Sequence, residues 1–70
     1  MTYILTNEEK AGIIEQHLKN LEYSKYNLEV SLIEESASPT SASAATSLEE
    51  QLSAINLKIS ALKAELLQLQ

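Results

Sequence analysis

The last third of this sequence of 70 residues carries an unbroken heptad repeat of apolar residues. The repeat alternates intervals of four and three residues through Leu48, Leu52, Ile55, Ile59, Leu62, Leu66 and Leu69. A period of about 3.5 residues places every apolar side chain on one seam of a helix, where it packs against a second helix. The segment therefore predicts a coiled-coil helix that requires a partner.

An earlier segment offers a matching seam that contains one polar residue. Its members are Ala11, Ile14, Leu18, Leu21, Lys25, Leu28 and Leu32. If the two segments pair antiparallel so that the numbers of facing residues sum to 80, every layer is filled, and the midpoint lies beside Pro39, the only proline. We therefore predict an all-α fold, an antiparallel two-helix coiled-coil hairpin.

Capping signals and composition divide the chain into four segments. Thr6 and Glu9 have the spacing of a capping box, which predicts the start of the first helix. The sequence SASPTSASAATS at 36–47 competes with a continuous helix and predicts the turn. The predicted segments of this single domain are an N-terminal extension (1–5), helix one (6–35), a Ser/Ala/Pro/Thr connection (36–46) and helix two (47–70).

The start of helix two has a second interpretation. Capping boxes at Thr46 with Glu49 and at Ser47 with Glu50 favour a start near residue 47. Alternatively, Ser38 caps the helix and Pro39 takes its first position, which lengthens helix two by about two turns. The sequence leaves open whether residues 36–46 continue that helix.

Helix one carries a second apolar stripe outside the seam. Its members are spaced by three, four and three residues: Tyr23, Tyr26, Val30 and Ile33. At about 100° per residue, the stripe lies about 150° from the seam. We predict a protein interface here, although a solvated helix face can also tolerate such residues.

The size of the chain favours self-association as the use of this stripe. A domain of 70 residues buries a small core, and this chain has no Cys for disulfides and a single His. Association into a four-helix or larger bundle is the remaining means of stabilisation, so we expect a homo-oligomer. Docking on another protein is the alternative.

Few residues suggest a catalytic site or a site for a ligand. Ten acidic against five basic residues give a net charge of -5, which disfavours nucleic acid. His17 has no neighbouring ligand or nucleophile pattern, so we predict no enzyme activity, no catalytic residues, no cofactor and no metal. The N-terminal residues resemble neither a signal peptide nor a membrane span, so we expect a cytoplasmic protein without membrane contact, with the virion as an alternative location.

Two placements of charge stand out. Lys25 interrupts the seam, where a polar residue can fix the register of the helices. Glu34 and Glu35 lie at the end of helix one, where the negative end of the helix dipole disfavours carboxylates.

The stretch LTNEEKAGIIEQHLKNLEYSKYNLEVSLIEE, followed by the Ser/Ala/Pro/Thr connection and SLEEQLSAINLKISALKAEL, resembles small uncharacterised helical-hairpin proteins of marine tailed bacteriophages. The resemblance implies a phage or bacterial setting and no particular activity or site residues. We expect a non-enzymatic interaction or structural module that self-associates through its second stripe. The alternative is a regulatory accessory protein that docks on a host or cellular protein and modulates it.

Overall fold

Two antiparallel helices joined by a short connection make up the fold. The computed structural model describes residues 4–70, with α1 at Asn7–Ala37 and α2 at Ala44–Gln68. The molecule measures 55 × 22 × 15 Å. The predicted all-α hairpin is therefore confirmed. Over residues 4–70, neither helix is both long and apolar enough to cross a membrane.

The seam between the helices follows the two heptad repeats. All fourteen predicted seam positions are buried or half-buried, including Lys25. Ile59 is the most enclosed, at 6% exposure, and is the one buried residue among those described. At the open end of the hairpin, Asn7 Nδ2 donates a hydrogen bond of 3.3 Å to the Leu69 carbonyl. Apolar burial along this single seam is thus what holds the helices together.

The predicted capping box is present at the start of α1. The Glu9 amide donates to Thr6 Oγ1 at 3.1 Å, and the Thr6 amide donates to Glu9 Oε1 at 3.0 Å. Two amides that the first helical turn leaves without backbone partners are thereby satisfied. The predicted extension at 1–5 falls partly outside the described residues. Its last two members, Ile4 and Leu5, are not helical.

Both predicted starts of α2, near residue 47 and at Pro39, are wrong. The helix begins at Ala44 after the N-cap Ser43, three residues before the predicted start at 47. The Ser47 amide already donates to the Ser43 carbonyl at 3.0 Å, so Ser47 lies inside the first turn. The two alanines extend the helix backwards because alanine has the highest helix propensity. Ser38 caps the C-terminus of α1 and does not begin α2.

The connection spans residues 38–43 and is closed by a carboxylate of α1. Glu35 Oε1 accepts hydrogen bonds from the Thr40 amide at 2.6 Å and from the Thr40 hydroxyl at 2.8 Å. These bonds, the amide bond first, lower the pKa of Glu35 below its ordinary value. The unfavourable position of Glu35 at the helix end therefore has a structural reason: its carboxylate fixes the turn.

Candidate protein-interaction surface

The four residues of the predicted interface lie in one line on α1, on the side of the helix away from α2. Tyr23 is 72% exposed, Tyr26 69%, Val30 36% and Ile33 68%. From first to last the line extends about 15 Å at the helical rise of 1.5 Å per residue. The hairpin itself therefore leaves this outer stripe of α1 uncovered.

The two tyrosine rings border an open hollow of about 650 Å³. Lys19 and Glu22 complete its rim, and its lining is mostly apolar. A tyrosine ring combines a large apolar body with a polar hydroxyl tip, which suits a contact whose edge remains wet. The hollow is large enough to accept an aliphatic side chain from another molecule.

A second outer stripe, on α2, was missing from the sequence interpretation. Leu57 is 71% exposed and Leu67 is 69% exposed. Between them lie the exposed small residues Ser60 and Ala64, so the four residues repeat the intervals of three, four and three seen on α1. This spacing could have revealed the stripe. It was overlooked because small residues contribute little to an apolar pattern.

Charged side chains lie beside both outer stripes, at the same heptad position on each helix. Glu22 and Glu29 flank the outer stripe of α1, and Lys63 flanks the outer stripe of α2. All three side chains are exposed. Because the chain has a net charge of -5, a cation at the margin of an apolar face is well placed to favour an acidic partner.

The geometry around His17 offers little chemistry. His17 is exposed and borders an open groove between the helices, together with Asn20, Ser24 and Lys58. Across residues 4–70, no group of three or more His, Cys, Asp or Glu side chains is arranged to hold a metal ion. The two outer stripes are consequently the features of this chain best suited to a function.

Comparison with known protein families, characterised proteins and solved structures finds no match.

Proposed function

We propose that this chain is a non-enzymatic protein-interaction or structural module, a helical hairpin that self-associates through Tyr23, Tyr26, Val30 and Ile33. The observation that carries the proposal is the exposure of these four large apolar side chains in one line on the side of α1 away from the seam. Apolar surface collected on one face favours association, since burial removes it from water.

The small core of the hairpin supports self-association. Among the described residues, Ile59 alone is buried, and the remaining seam residues are half-exposed. A two-helix unit of this kind is marginally stable by itself. Assembly into a four-helix or larger bundle would add a second buried seam to each hairpin. The biological setting we propose is a phage or the bacterial cell that it infects.

A second candidate is a regulatory accessory protein. In this proposal the same outer stripe of α1 docks on a host or cellular protein and modulates its activity. An uncovered stripe beside a hollow of about 650 Å³ supports this use as well. The two candidates differ in whether the stripe is already occupied in the purified protein.

Light scattering behind a sizing column, at several protein concentrations, tests the proposal. Self-association predicts a mass that is a multiple of 7.7 kDa. Tyr26→Asp should return the mass to that of one chain, because burying an unpaired carboxylate in the contact is costly. Ser24→Asp adds the same charge to an exposed position of α1 about 140° around the helix from the stripe, and it should leave association intact.

A wild-type protein that stays monomeric at every concentration would contradict self-association. The outer stripe of α1 would then be available to a different protein, as the accessory function requires.

A further inference from the structure

The two outer stripes of the hairpin match each other in spacing and differ in side-chain size. On α1, the stripe presents two tyrosines, a valine and an isoleucine. On α2, two leucines enclose a serine and an alanine. Large side chains on one helix opposite small side chains on another allow close packing, as in ridges that fit into grooves. The two small residues in the middle of the α2 stripe therefore leave room for large side chains of the α1 stripe.

We propose that the outer stripe of α1 binds the outer stripe of α2 on a second copy of this chain, with the two helices antiparallel. The proposal rests on the proposed self-association and specifies its geometry. One type of contact then covers both stripes of every copy.

In an antiparallel register in which the numbers of facing residues sum to 90, the two stripes form four layers. The pairs are Tyr23 with Leu67, Tyr26 with Ala64, Val30 with Ser60, and Ile33 with Leu57. Leu67 of the second copy then approaches the hollow between Tyr23 and Tyr26. The ring of Tyr26 lies over Ala64, where no long side chain obstructs it.

The charges beside the stripes favour the same register. In an antiparallel pair, residues on matching edges of the two helices face each other. Lys63 of the second copy therefore falls between Glu22 and Glu29. This placement opposes part of the repulsion between chains that each carry a net charge of -5.

Pairing of α1 with α1 of another copy is less favourable. The antiparallel register that stacks Tyr23 on Ile33 and Tyr26 on Val30 brings the Glu29 side chains of the two copies together near the symmetry axis. Like charges that face each other oppose association. That arrangement also leaves the exposed Leu57 and Leu67 without a partner.

The hairpin exposes more surface than a compact protein of the same mass. A compact protein of this mass exposes about 4,300 Å², whereas this hairpin exposes 5523 Å². The excess is about 1,200 Å² for each copy, so the elongated hairpin leaves surface available for contacts with other copies.

This geometry makes the assembly open-ended. In the predicted seam of a hairpin the numbers of facing residues sum to 80, and in the proposed contact they sum to 90. Neighbouring copies are therefore displaced by about ten residues, or about 15 Å. A contact between two different faces with an axial displacement does not close on itself. Each added copy leaves one stripe of each kind free, and the assembly grows with concentration.

Complementation between two charged variants tests the pairing. Tyr26→Asp disables the outer stripe of α1, and Leu67→Asp disables that of α2. Each variant alone should be monomeric by light scattering. An equimolar mixture should form a dimer of one copy of each variant and stop there, because only one intact stripe of each kind remains. Leu57→Asp provides an independent replacement for Leu67→Asp, and far-ultraviolet circular dichroism checks that every variant is helical.

The outcomes separate the two proposals. A monomeric wild type overturns the proposed self-association. If the wild type assembles and Leu67→Asp alone still dimerises, only the pairing of α1 with α2 is overturned. The same holds if the wild type assembles and the equimolar mixture of variants stays monomeric. Reversal of charge adds a test of register. Lys63→Glu should weaken assembly by up to about tenfold, and adding Glu22→Lys and Glu29→Lys should restore it. Absence of both effects contradicts the antiparallel register.

Discussion

Replacing Ile59 by alanine should destabilise the hairpin more than replacing any other aliphatic side chain of residues 4–70 by alanine. Ile59 is 6% exposed, and the predicted register places it opposite Leu21, near the middle of the seam. The substitution removes three carbon atoms from the most enclosed position and leaves the helical backbone free of new constraints. Its effect therefore measures how strongly the seam holds the two helices.

The expected loss follows from the burial of this side chain. Three buried carbon groups at about 0.8 kcal/mol each contribute about 2.4 kcal/mol. The cavity that remains adds to this cost, and the higher helix propensity of alanine offsets about 0.4 kcal/mol. We expect a net loss of about 3 kcal/mol in the free energy of unfolding. A domain of this size has a total stability of about 5 kcal/mol, so the variant should be close to unfolding.

Ile13→Ala provides a matched control because it removes the same atoms from α1. Ile13 is 50% exposed and lies outside the seam and both outer stripes. Its loss should be about 1 kcal/mol. Urea unfolding followed by far-ultraviolet circular dichroism measures both values, at concentrations where light scattering shows equal masses for the variants.

Equal losses for Ile59→Ala and Ile13→Ala would refute the reasoning. Such a result would mean that the seam around Ile59 does not supply the main apolar burial, and that the stability of the chain arises from contacts that both positions share.

Three further predictions follow from single features of the hairpin. Gly12→Ala should raise the free energy of unfolding by about 0.5 to 1 kcal/mol, since a Cβ there meets nothing within 4 Å, whereas Gln16→Gly should lower it. Glu35→Gln should reduce the acid sensitivity of urea unfolding. Because the folded chain lowers the pKa of Glu35, its contribution is present above the ordinary value of 4.5 and is lost as the pH falls through the lowered pKa. Identical slopes of stability against pH in both proteins would contradict this role. Leu62→Asp should abolish most of the helical circular dichroism by placing an unpaired charge in the seam. Tyr26→Asp should retain the signal; equal loss in both would mean that the seam and the outer stripe form one core.

The sequence predicted those features that depend on periodicity and on neighbouring residues. The heptad repeats identified all fourteen seam positions, because burial on one side of a helix requires that period. The capping box of Thr6 and Glu9 could also be predicted, since its two hydrogen bonds join residues three positions apart. The spacing of the outer stripe on α1 identified four side chains that the hairpin leaves exposed.

Tertiary structure decided the features that depend on reversal of the chain. Several serines and threonines could have capped α2, and the structure selects Ser43, whose side chain makes no capping hydrogen bond. The role of Glu35 became visible only when the turn brought Thr40 back to its carboxylate. The stripe of Leu57 and Leu67 was recognised once packing of the seam had left that face of α2 uncovered. Local patterns specify which residues can form a helix or a seam. Closure of the hairpin determines where α2 starts, which residues meet in the turn and which helix faces stay exposed.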